Sequence, residues 1–211
     1  RSALVGVVND PLICERNSKM AATAAPYGFV PVNRLGGYEG GSFRQLKMTD
    51  SYGTSMFFGD VAELVAAGTI ELDSAATSTR PIGIFQGCSY TDPTLNYKVF
   101  DQMWTASTSA TDILAHVADD PRQVFQVQSD GTHAQTTLGL NSEVITYAAG
   151  NTNIGKSILA LDQSGIATTA TFPWRTIAFV DGPFSAVGDA FTDMLVVWNA
   201  DIHQYDLALG T

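Results

Sequence analysis

Between Met56 and Tyr90 the chain reads MFFGDVAELVAAGTIELDSAATSTRPIGIFQGCSY, with apolar runs of five to eight residues stopped by Gly-Asp, Ala-Gly and Thr-Arg-Pro. Glycine and proline accept the φ values that tight reversals demand, so they mark where the backbone turns. Runs this short favour strands over helices. The cadence continues through Phe43–Met48, Tyr97–Thr105, Ile113–Val117, Gln123–Gln128, Glu143–Tyr147, Ser157–Asp162, Thr176–Val180 and Asp193–Trp198. Turn clusters such as Asp92-Pro93, Asp119-Asp120-Pro121 and Asp181-Gly182-Pro183 separate them. This pattern predicts an all-β body, a β-barrel or β-sandwich of short antiparallel strands. One segment carries two readings. Asp60–Ala67 sets Val61, Leu64 and Val65 at helical spacing before a Gly68 stop, whereas the alternation at Thr69–Leu72 makes DVAELV and TIEL a hairpin. The hairpin agrees with its neighbours.

Residues 1–42 differ. Pro11, Pro26, Pro31, Gly36-Gly37 and Gly40-Gly41 exclude a long helix or a central strand. They predict an extended N-terminal arm with at most a short helix around Arg16–Ala25, ended by Pro26 and hinged into the body at GGYEGG. The body, 43–211, has room for two β subdomains, about 43–131 and 132–211.

Only 15% of residues are charged, against about 25% in ordinary soluble domains. Interface cores lose Lys, Glu and Asp, so the deficit points to a chain that lives inside an assembly. Residues 1–50 carry six basic and four acidic groups, the remainder five basic and seventeen acidic. An acidic body repels phosphate backbones, and Arg1, Arg16, Lys19, Arg34, Arg44 and Lys47 are too dilute for a counterion-releasing patch. Nucleic acid is therefore not an expected partner, and these six cations are candidates for contact with another protein. No apolar run approaches the roughly 20 residues that cross a bilayer, and RSALVGVVNDPLICERN breaks too early for a signal peptide, so no membrane partner is expected.

Reactive constellations are not evident. Cys14 and Cys88 form no metal-type pair and read as buried reduced thiols. His116, His133 and His203 lack metal-ligand spacing, although His116 is placed to bridge to a carboxylate. Gly40-Gly41-Ser42 and Gly87-Cys88-Ser89 lack the second glycine of a nucleophile elbow. The densest acid cluster, Asp119-Asp120-Pro121, reads as a turn or solvated edge rather than a glycosidase or calcium site. The aromatic residues sit in apolar runs and read as core. No catalytic, cofactor or metal residues are assigned.

Four stretches carry a resemblance: FFGDVAELVAAGTIEL (57–72), GIFQGCSYTDP (83–93) with KVFDQMWTA (98–106), ILAHVADDPRQVFQVQSDG (113–131) and MLVVWNADIHQY (194–205). They resemble the tailed-bacteriophage capsid decoration, or cement, proteins seen in phages of aquatic bacteria. The resemblance implies a β-barrel-like module on the outer surface of an icosahedral virion, made in the bacterial host cytoplasm. It implies a homo-oligomer, a trimer rather than a dimer, bound to the major capsid protein, with no cofactor and no enzymatic activity. Gly59, Asp60, Gly83, Gly87, Tyr90, Asp119, Pro121, Phe125, Asn199 and His203 are the structural positions it points to. The rival expectations are a head-fibre or tail subunit that binds host surface glycans and, further off, a carboxylate-based glycan hydrolase.

Overall fold

The computed structural model describes residues 22–37, 42–74, 81–145 and 150–207. Its strands form antiparallel sheets packed as a β-sandwich, and the one helical element among the described residues is a 3-10 turn at Gln135–Thr137. The first sheet has the order β2 (Phe43–Lys47), β7 (Leu114–Ala118), β5 (Pro81–Thr91), β3 (Val61–Leu64), β4 (Ile70–Leu72), with β6 (Lys98–Asp101) paired to the other end of β5. The second has the order β1 (Val30–Arg34), β8 (Gln123–Gln128), β13 (Asp193–Trp198), β12 (Trp174–Phe179), β9 (Asn141–Ser142). A two-stranded ribbon, β10 (Val144–Ile145) with β11 (Ala160–Leu161), completes the set.

Strand β5 explains the long apolar run at its position. Both its faces are covered, so alternation gives way to near-continuous burial. Ile84 joins Val61 and Ala118 against the second sheet, in a core with Phe29, Phe125, Trp174 and Trp198. Ile82, Phe85 and Cys88 face the other way, where Met48, Met56, Trp104 and Ile113 fold over the sheet as a second core. Ile82 and Ile84 are two residues apart yet serve opposite cores because the register slips opposite Ala62 and Glu63. Such a bulge re-aims side chains that a regular pleat would place together.

The segment 60–72 is a hairpin and not a helix: Ala62 pairs with Leu72 and Leu64 with Ile70. Local helical spacing lost to pairing with β5, which buries Val61 and Ala62 on opposite faces. The expected arm needs correction over its described part. Residues 22–29 have no regular structure, so no helix forms at 22–25, and the chain then enters the sandwich. Phe29 is fully buried and β1 pairs with β8. Pro31 is tolerated because β1 is an edge strand, where a missing N–H need not break a ladder. The rest of the expected arm, including Arg1, Arg16 and Lys19, and the GGYEGG residues 38–41 lie outside the described residues. The chain changes sheets at Asp119–Pro121 rather than near residue 131, and the second sheet takes in β1 from upstream, so the layers do not follow the expected 43–131 and 132–211 division.

Asp60 introduces a pH dependence. It is buried, accepts the Phe57 N–H at 2.8 Å, and burial pushes its carboxyl up to about 6. Because the folded protein then binds this proton more tightly than the unfolded chain, Asp60 costs stability as pH rises from about 4 to 6. Asp60→Asn is expected to remove that cost, worth about 3 kcal/mol at pH 7. Urea unfolding of both proteins between pH 4 and 8 checks it: the difference should grow with pH and level off above pH 7. A constant difference would contradict the assignment.

Candidate functional site

At the crossing between the sheets, Asp119 and Asp120 lead into the Pro121-Arg122 turn, and they are buried rather than solvated. Arg44 Nε lies 2.9 Å from Asp119 Oδ2, and the Tyr205 hydroxyl donates to the same oxygen at 2.9 Å. The Arg44 guanidinium also sits 5.3 Å from the Tyr205 ring centroid. Arg34 Nε meets Asp120 Oδ2 at 3.0 Å. Burial, followed by the Asp119 carboxylate, pushes the Tyr205 phenol up to about 12. His203 donates from Nε2 to the Ile82 carbonyl at 3.0 Å and accepts the Tyr205 N–H on Nδ1 at 3.2 Å. Both contacts suit one neutral tautomer, and burial lowers the imidazole pKa in agreement. The cluster fastens the C-terminal DIHQY turn to both sheets. Its acids are held by arginines and a phenol.

Arg34 and Arg44, expected as contact cations, thus make ion pairs within the chain, as does Lys47 with Asp50 at 3.4 Å. All three remain more than half exposed at the side chain. The structural positions fall into the packing. Gly59 contacts the Tyr27–Phe29 turn, Gly83 and Gly87 lie at tight points of β5, and Tyr90 meets Trp104 edge-on at 5.3 Å. Phe125 is core, Pro121 follows the buried acids, and Asn199 accepts from Arg175 while donating to the Ala170 and Phe172 carbonyls.

His116 lies opposite Gln45 across β2 and β7, and among the described residues it makes no ion pair with a carboxylate. His133 Nε2 is 2.5 Å from Ser129 Oγ, a contact not legible from sequence spacing. Both residues are fully buried. The Cys88 thiol donates to the Met103 carbonyl, and burial raises its pKa to about 12, leaving it unreactive. Among the described residues, no group of three or more His, Cys, Asp or Glu is placed to hold a metal ion, and no helix is long and apolar enough to cross a membrane.

The candidate interaction surface is the part of the first sheet that overhangs the second. Registers place Phe43, Gln45 and Lys47 of β2, Leu114 and His116 of β7, Ser89 of β5 and Lys98 and Phe100 of β6 on one face. Further along, that same face is covered by the second sheet through Val61, Ile84 and Ala118. In the overhang its two sides are open, with Phe100 74% and Phe43 55% exposed and Leu95 and Tyr97 exposed at the β5–β6 turn, while Ser89 of β5 between them is buried. Asp112 pins the turn's base, accepting from the Thr91 N–H, the Thr91 hydroxyl and Lys98 Nζ, and these bonds hold its carboxyl far below the usual range. β2 is the last strand on the sheet path, met just past its C-terminal end by β4 through a bridge from Met48 to Ile70, and β6 has no second strand neighbour among the described residues. Large exposed aromatics on such strands are what a protein partner covers.

No family model, curated protein or solved structure matches this chain.

Proposed function

We propose that this chain is a virion structural protein that binds the outer surface of an icosahedral phage capsid and stabilises subunit junctions against internal pressure. The observation that carries the reading is the overhanging face, with Phe43 exposed on β2 and Phe100 exposed on β6. The low charge content and the sequence resemblance point the same way. Packaged genome strains the seams between shell subunits, and a rigid sandwich bound across a seam resists their separation. The partner is the major capsid protein. A homotrimer would engage several shell subunits at once, so modest contacts, of order 800 Å² per partner, add up through multivalency. Edge pairing by β2 or β6 supplies backbone hydrogen bonds, and Phe43 and Phe100 supply the apolar anchors.

Light scattering on the purified chain and cosedimentation with emptied shells test the proposal. Saturable binding at a stoichiometry set by capsid symmetry is expected. Monomers that ignore shells would overturn it. Phe100→Glu sits on the surface and leaves the core intact. It is expected to weaken shell binding by about 30-fold or more, the loss of one anchor residue. Unchanged affinity would remove the overhang from the interface.

A further inference from the structure

The second sheet carries a separate feature. On its outer face a cleft of about 500 Å³ is lined by Leu35, Pro121, Ile177 and Val197 together with Arg122, Arg175, Trp198, Asn199, Asp201 and Asp206. That volume lies within the range of small-ligand sites. Arg175 is held in an unusual way. Its Nε donates to Asn141 Oδ1 at 3.0 Å and its Nη2 to Asn199 Oδ1 at 2.8 Å. Both asparagines are buried, and their amide nitrogens donate to backbone carbonyls, Asn141 to Thr169 and Asn199 to Ala170 and Phe172. Those bonds fix which end of each amide faces Arg175, so the guanidinium is oriented by neutral groups and keeps its whole charge. Three of its five N–H donors remain free. Among the described residues no carboxylate lies within ion-pair distance of Arg175 or of Arg122, whose side chain is exposed on the same cleft.

A planar guanidinium locked in place without a counterion matches a carboxylate in a bidentate fork. Arg175 is itself exposed, and the buried amides hold it in one orientation, as a second shell does in a binding site. Asp201 and Asp206 balance the two arginines within the lining, which disfavours a polyanion and offers acceptors to hydroxyl donors. Asp201 adopts a φ of 60°, in the left-handed region. A non-glycine residue held there sits in a conformation that proteins concentrate at ligand sites. The remaining walls are apolar and suit the C–H face of a sugar ring.

We infer that this cleft binds a carboxylate-bearing saccharide, with Arg175 and Arg122 on the carboxylate and Asp201 and Asp206 on hydroxyls. The site is independent of the shell-binding face, which lies on the other sheet. Calorimetric titration of the full chain with a glucuronate-containing tetrasaccharide tests it, alongside a neutral glucose tetrasaccharide and a glutamate-rich peptide. One saturable site per chain is expected for the acidic sugar alone. Arg175→Lys should weaken it at least ~10-fold, since a bidentate charged pair is lost. Arg122→Gln, at an exposed position that folding does not depend on, should weaken it severalfold with unchanged thermal unfolding. Equal binding of the neutral sugar, binding of the peptide alone, no binding at millimolar concentration, or full affinity in both variants would each overturn the assignment.

Discussion

Trp174→Ala is expected to cost about 3–5 kcal/mol, the range for deleting a buried large aromatic side chain. Trp174 is fully buried and central to an aromatic column. It stacks on Phe29 at 4.1 Å and on Trp198 at 4.0 Å, with the edge of Phe125 at 5.7 Å. Trp198 continues to His203 at 5.5 Å and His203 to Tyr205 at 5.1 Å. The column therefore joins the segment before β1, strands β8, β12 and β13 and the C-terminal turn. Removing its centre takes packing from several elements at once, and a cavity among rigid rings cannot collapse easily. Against a typical net stability of 5–15 kcal/mol, the loss lowers Tm on the order of 10 °C. Trp174→Phe should cost far less, because the indole N–H has no acceptor in the chain and its loss leaves no broken hydrogen bond. Urea unfolding of the two variants checks the pair. Similar, small losses in both would mean that the column is not the core's support.

Gly83→Ala is expected to be comparably severe, at about 4 kcal/mol, although it adds a single methyl group. A Cβ at this position would stand 2.3 Å from the Ala118 carbonyl oxygen and 2.7 Å from Val117 Cγ1. The nearest obstacle is backbone, so relief requires β5 and β7 to separate where both cores meet. The φ of 157° adds strain for any L side chain. Gly53→Ala is the control, since nothing lies within 4 Å of its added Cβ. It should be neutral within about 0.5 kcal/mol. Equal effects at the two positions, read by thermal unfolding, would contradict the close approach.

The residues that announced the fold did so through short-range chemistry. Turn clusters and period-two runs placed strands at 43–47, 114–118, 123–128 and 193–198 within a residue or two of where they lie. Where pairing depends on distant partners the sequence was less informative. Tyr97–Thr105 shrinks to Lys98–Asp101, and the described part of Glu143–Tyr147 forms only Val144–Ile145, with residues 146–147 outside the described residues. The edge strand Val30–Arg34 was hidden because Pro31 masks its alternation and its partner β8 lies far downstream. The solvated reading of Asp119-Asp120 failed for the same reason: Arg34, Arg44 and Tyr205 arrive from elsewhere in the chain to cover it. Nor could spacing reveal the overhang, which comes from a register that leaves Phe100 and Phe43 beyond the second sheet. Arg175, a lone cation in the apolar strand WRTIAF, was the one local sign of the cleft.

The central claim is that the overhanging face of the first sheet is the surface that meets the capsid. Amide hydrogen exchange on the chain alone and bound to emptied shells tests it most directly. Protection is expected to appear on binding at Phe43–Lys47 and Lys98–Asp101, while Trp174–Phe179 and Asp193–Trp198 exchange as they do in the free chain. Protection confined to the second sheet, or none in either edge strand of the first, would contradict the account.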